Sequence, residues 1–251
     1  ASINADPELR TLLGLQGGPA GDSSDQLTDV SLERREVNRQ LLADNLAALK
    51  AWKRPPLDAQ EQLSDGLARW FYQSQINLMA VPWSAAWLPV GGSTYAIDQL
   101  FSQSVNLPSF FDNQIPVTDL TSAQNYIARL NAMGPKLDQI LANFNLQADQ
   151  GVMPPEVALT GAANQFRTLL EPAPKDSLWV TSFKRKLEKV RTVSPAQRAA
   201  LVAQAIAAVT TSVNPGYQKL LERSEAAWAT KPGNTGMWSR PHGDAFYDAA
   251  L

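Results

Sequence analysis

Apolar residues recur at three- and four-residue steps along nearly the whole chain, and prolines and glycines cut that pattern into segments. This regularity leaves few folds open, because each such stripe is one face of a helix that must find a partner. Val37, Leu41, Leu42, Leu46, Leu49 and Trp52 form one stripe, closed by Pro55 and Pro56. Asp58 then caps a second helix with Leu63, Leu67, Trp70, Phe71 and Leu78 on one face. The two are expected to pair as an antiparallel hairpin across residues 53–56. The clearest stripe begins at Ser122 and carries Tyr126, Leu130, Met133, Leu137, Ile140 and Phe144, with Gly134-Pro135 predicted to kink or split it. Further helices are predicted from Pro155 to Leu170, Ser177 to Val190, Ser194-Pro195 onward with Leu201, Val202, Ile206 and Val209, and Asn214-Pro215 onward with Tyr217, Leu220, Leu221 and Trp228.

No run shows sustained period-two alternation between hairpin turns, and no repeat of fixed period is present. The expected fold class is therefore all-α, with roughly eight to ten helices in an irregular array. Residues 1–30, rich in Gly, Ser and Asp, read as an extended N-terminal arm with a short helix at 7–13, and residues 31–243 as the helical domain. Between Val81 and Thr118 the pattern loosens, with a short helix expected over Tyr95 to Ser104, and Trp83, Trp87, Phe110 and Phe111 concentrate there. Such a segment is most often a packed connection and less often a groove lining. Residues 244–251 read as the start of a helix, with Asp244 as N-cap and Phe246, Tyr247 and Leu251 opening its stripe. That opening without a closing turn predicts the front part of a longer protein.

Composition excludes several functions. With 44% hydrophobic residues the chain can build a core, and a net charge of −2 gives no pull toward nucleic acid or anionic membranes. No stretch of about 18 apolar residues exists, so no transmembrane segment is expected. Cysteine is absent and His242 is the one histidine, which rules out a thiolate metal site and an H-E-x-x-H pair within this chain. A low share of charged residues, 18%, fits an exported protein, and the missing start methionine is read as an upstream segment removed, either a signal peptide or at an artificial boundary. A Ser-His-Asp arrangement would need His242 as base, but Ser239 and Asp244 flank it too closely in one loop, and no G-x-S-x-G elbow occurs. Phosphate-cradling motifs are missing too. Asp112, Asp119, Asp138, Glu222 and Glu225 read as caps and solvated faces, and Lys184, Arg185, Lys186 and Lys189 as an exposed basic side.

Several segments taken in order resemble one bacterial family, the domain of unknown function 885. They are Asp6-Pro7-Glu8 with Leu13-Gly14-Leu15, the stretch from Leu107 to Leu130 with its Tyr126, Arg129, Leu130 pattern, and Gln150-Gly151-Val152-Met153-Pro154-Pro155. Asn214-Pro215-Gly216-Tyr217 and the closing Gly236-Met237-Trp238 to Gly243-Asp244-Ala245-Phe246-Tyr247 complete the order. The resemblance implies a helical fold like that of thermolysin-related metallopeptidases, in proteins often secreted or lipid-anchored, hence periplasmic or associated with the cell envelope. It implies zinc, held by a His-Glu motif on a later helix in a C-terminal half; no zinc ligand and no catalytic residue maps onto this sequence. This chain would then be the N-terminal lobe of a zinc-dependent peptidase or amide hydrolase, inactive alone. Its partners would be the C-terminal lobe and a peptide substrate, and it would form one wall of the cleft. Trp83, Trp87, Phe110, Phe111, His242 and Tyr247 are the candidate wall residues, each with core or lobe–lobe packing as the alternative. The other reading is a free-standing helical binding or scaffold module, which predicts a polar surface broken by one modest groove.

Overall fold

Every regular element is helical among the residues that the computed structural model describes, 2–15, 21–52, 56–84, 94–230 and 236–250. In chain order the α-helices are α1 (Pro7–Leu12), α2 (Leu32–Ala51), α3 (Ala59–Ala80), α4 (Gln103–Ser109), α5 (Leu120–Asp149), α6 (Glu156–Leu170), α7 (Leu178–Leu187), α8 (Pro195–Ala208), α9 (Asn214–Ala229) and α10 (Gly243–Ala250). Two π-helical turns, Phe110–Gln114 and Val209–Val213, extend α4 and join α8 to α9.

The α5 stripe organises the core. Tyr126, Leu130, Met133, Leu137, Ile140 and Phe144 are all buried, packed against residues of α6, α7, α8 and α9. Each such side chain contributes about 1.5–3 kcal/mol relative to exposure. Phe111 meets Tyr126 and Trp179 edge-on with ring centroids 5.2 and 5.3 Å apart, and Tyr126 stacks on Phe183 at 4.8 Å. A Cβ on Gly216 would stand 2.7 Å from Leu137 Cδ1, so glycine there lets α9 lie close against α5.

Gly134-Pro135 does not split α5, which runs unbroken through both residues. Pro135 has no N–H to give the carbonyl four residues back, Asn131. Ser212, in the second π turn, donates from Oγ to that carbonyl at 2.7 Å and accepts from Gly134 N–H at 2.9 Å. Pro108 inside α4 raises the same problem at Ser104, whose carbonyl accepts from the buried Tyr217 hydroxyl at 2.7 Å. Both interior prolines are thus accommodated by hydroxyls from the rod formed by α8, the π turn and α9. Asn214-Pro215 opens α9 as expected, following the π turn without an intervening loop, so the rod is continuous.

The N-terminal residues are less of an extended arm than expected. Along α5 a second, polar row occupies positions 129, 136, 143 and 147, all buried. Arg129 donates from Nε to Gln26 O at 2.9 Å and from Nη2 to Thr11 Oγ1 at 2.6 Å. Lys136 Nζ meets Glu8 Oε1 at 2.5 Å and Thr28 O at 3.1 Å. Asn143 donates to Val30 O at 2.8 Å. Gln147 donates to the carbonyls of Trp83 and Thr94 and accepts from Ala96 N–H. Irregular backbone is thereby fastened to a rigid helix by groups that would otherwise be buried without partners.

Arg35 at the start of α2 bonds the carbonyls of Met79, Val81 and Pro82 at the end of α3, so the two helices are antiparallel as expected. The connecting residues 53–55 lie outside the described residues. The stripes differ from expectation: Leu42 and Leu46 are buried, whereas Val37, Trp52, Leu63, Leu67 and Trp70 are exposed. The helix expected over Tyr95 to Ser104 starts only at Gln103; before it, Asp98 Oδ1 accepts from the N–H groups of Leu100, Phe101 and Ser102 and holds a turn that delivers the chain to α4. None of the described helices is long and apolar enough to cross a membrane.

Candidate functional site

The expected wall residues fall into two groups. Trp83 and Phe111 are interior, at 1% and 0% exposure, so neither offers a surface to a ligand here. Phe110 is half-buried, edge-on to Phe111 at 5.9 Å and beneath the Arg129 guanidinium at 5.4 Å. Trp87 lies outside the described residues. His242 and Tyr247 are on the surface, Tyr247 at 56% exposure.

The structure brings Trp83, His242 and Tyr247 to one corner. Trp83 stacks on Phe246 at 4.8 Å, in a small cluster with Val81 and Val152. Its indole N–H donates to Pro241 O at 2.5 Å. His242, the one non-glycine residue at positive φ among the described residues (56°), then turns the chain into α10. The helix begins at Gly243, one residue before the expected Asp244 cap, and Phe246 N–H closes its first turn on His242 O at 3.0 Å. Position 243 tolerates only glycine, because a Cβ would stand 1.9 Å from Met237 O. Trp238, at 79% exposure, is displayed next to this turn. Sequence reasoning passed over it as a wall residue, attending instead to the aromatics between 81 and 118. Its place in the Gly236-Met237-Trp238 run was the available signal. Arg240, in the same loop, keeps Nε and Nη2 shielded from solvent with no hydrogen-bond acceptor among the described residues.

The corner can offer aromatic surface, one imidazole, one phenol and a guanidinium. Among the described residues no three His, Cys, Asp or Glu side chains are grouped so as to hold a metal ion. A zinc site does not fit the side chains present, and no chemical step through zinc follows from them.

The acidic residues singled out in the sequence are all partnered. Asp112 pairs with Arg185 at 2.6 Å, Asp138 with Lys219 at 2.7 Å and Glu225 with Arg167 at 2.5 Å; Glu222 accepts from Gln218. Asp119 caps α5, and the bonds it accepts from Ser122 hold its carboxyl below the usual range. A recess of about 230 Å³ beside that cap is lined by Asp22, Ser24, Asp119, Ser122, Asn125 and Arg129. Asp22, Ser24, Asp119, Ser122 and Arg129 already bond one another or the backbone, and burial lowers Arg129 to about 10. Lys186 departs from the solvated basic face read from the sequence. It is partly buried, donates to Phe111 O at 2.6 Å and Ile115 O at 2.7 Å, and closes the first π turn; burial lowers it to about 8.

The sequence model of the family described as "Bacterial protein of unknown function (DUF885)" matches residues 7–251. The crystal structure of a protein titled "putative lipoprotein from Colwellia psychrerythraea" has the same fold, with a TM-score of 0.85 and 24% identity over 99% of this chain. The superposition covers 42% of that protein's chain, so the present chain spans less than half its length. No curated protein matches the sequence.

Proposed function

The chain belongs to the DUF885 family of bacterial proteins, and from that premise we propose that it is the N-terminal helical lobe of an exported, envelope-associated zinc-dependent peptidase or related amide hydrolase. In this reading it forms one wall of the substrate cleft, is inactive alone, and receives its zinc site from a C-terminal lobe. The observation that carries the reading is that the same fold occurs as less than half of a longer chain, the Colwellia protein. Envelope association draws support from the description of that protein as a "putative lipoprotein".

The wall narrows to His242 and Tyr247, with Trp238 beside them. Trp83 acts from behind, fixing the turn by its bond to Pro241 and by its stack on Phe246. A solvent-facing phenol and imidazole on a braced turn suit hydrogen bonding to an extended peptide backbone. Such a lobe orients substrate, while water activation is left to the metal lobe. The free-standing module predicts a polar surface apart from one groove, and the exposed Leu63, Leu67 and Trp70 on α3 count against it.

Two preparations test the proposal, the full reading frame and the 251-residue chain. The full-length protein is expected to bind zinc and cleave short peptides in a chelator-sensitive manner, and the 251-residue chain to do neither. Full-length protein that binds no zinc and cleaves no amide substrate refutes the hydrolase.

A further inference from the structure

Helix α3 is apolar on two opposite faces. Positions 63, 67 and 70 follow one another at four- and three-residue steps and so share a face. Positions 72, 76 and 79 each lie nine residues beyond one of them, which at about 100° per residue is half a turn around the helix. Tyr72, Ile76 and Met79 pack with Leu42 of α2. Leu63, Leu67 and Trp70 therefore point away from the hairpin partner, at 66%, 60% and 56% exposure. Single exposed apolar residues are ordinary, but three large ones in a row on one helix face mark a contact surface.

The far end of this helix is already occupied. Leu78, near the end of α3 and between its two apolar faces, packs both with Leu42 and Met79 and against the cluster formed by Val81, Trp83, Val152 and Phe246, the last of which brings α10 onto α3. α10 thus covers the C-terminal end of the helix and leaves the N-terminal end open.

We propose that the face of α3 bearing Leu63, Leu67 and Trp70 is the seat of the C-terminal part of the same polypeptide, which continues along α3 the contact that α10 begins. The inference rests on the preceding reading only in so far as the chain is a lobe of a longer protein. The solved chain of the same fold has more than half its length outside the shared region, enough to cover such a face. A membrane suits the face poorly: α3 contains one cation, Arg69, which is paired to Asp65 at 2.8 Å, and no basic row flanks the stripe. The segment that docks is expected to bring an apolar helix face for the stripe.

The absence of cysteine from this chain makes the test direct. Leu67→Cys and, as reference, Val157→Cys on exposed α6 are introduced into both the full-length protein and the 251-residue chain. Alkylation of each site is followed by peptide mass spectrometry. The expected result is that Cys at 67 reacts on the order of ten-fold or more slowly in the full-length protein than in the shorter chain, with the reference site unchanged. Equal rates at position 67 overturn the proposal. Slow reaction in the 251-residue chain together with a doubled mass in light scattering also overturns it, by making a second copy the occupant. Zinc content and peptide cleavage of the same full-length samples report on the hydrolase separately. Protection without cleavage keeps the docking and removes the hydrolase, and cleavage without protection does the reverse.

Discussion

Replacing Tyr217 by phenylalanine removes one oxygen from a fully buried ring whose hydroxyl donates to Ser104 O at 2.7 Å. The acceptor has an unusual need for that donor, because the residue placed to serve it within α4 is Pro108. Loss of a buried hydrogen bond that leaves its partner unsatisfied costs about 1–3 kcal/mol, and we expect about 2 kcal/mol here. With a urea m-value of about 3 kcal/mol/M for a chain of this size, the midpoint falls by about 0.7 M. Pro108→Ala returns the missing N–H to α4, so the same Tyr217→Phe change made in a Pro108→Ala background should cost less than half as much. Urea unfolding of the four proteins, followed by circular dichroism and tryptophan emission, completes the double-mutant cycle. An identical cost in both backgrounds would refute the reasoning, since the hydroxyl would then owe nothing to the proline.

Three further outcomes are expected. Lys136→Met strands the Glu8 carboxylate in the N-terminal segment and should destabilise by about 3 kcal/mol, part of which Glu8→Gln restores when the two changes are combined; urea midpoints report both. Gly243→Ala drives a Cβ into the Met237 carbonyl, so hydrogen exchange should show α10 amides, that of Phe246 included, losing protection while α5 amides keep theirs. Lys186 is lowered by burial from 10.5 to about 8, so above pH 8 the unfolded chain binds more protons than the folded one and stability rises with pH. The urea midpoint should therefore gain between about pH 7.5 and 9.5 relative to Lys186→Met. Tyr126 and Tyr217, raised by burial, oppose this only as the pH passes about 10, where unfolded tyrosine ionises.

The helical class and the α5 stripe were legible because a long helix with one apolar face leaves a strong 3.6-residue signal. Capping by Asp58 and Ser194 was legible for a similar reason, since a cap is satisfied within three residues. What escaped the sequence depends on partners far along the chain. Gly134-Pro135 reads as a break until Ser212, 78 residues beyond Gly134, supplies the lost donor. The fastening of residues 8–15 and 21–30 was written as the buried polar positions 129, 136 and 143, whose heptad spacing is visible but whose partners are backbone carbonyls, one hydroxyl and one carboxylate with no sequence signature. Periodicity likewise could not say which of the two apolar faces of α3 is covered. Of the wall residues, His242 and Tyr247 reach the surface, while Trp83 and Phe111 were drawn inward by their aromatic neighbours.

The π turn between α8 and α9 has a consequence for how the family can vary. A π turn holds one residue more than the α turn it replaces, so everything after it is rotated by about 100° from the direction an uninterrupted helix would give. Which way Tyr217, Leu220 and Leu221 face is accordingly set by a count of residues between 209 and 213, whatever those residues are. Loss of a single codon there would leave the composition of the rod almost untouched and yet turn its second half off α5 and α6. Among relatives, gaps should be rarer across this segment than its plain Val-Thr-Thr-Ser-Val sequence suggests, since length is the inherited quantity.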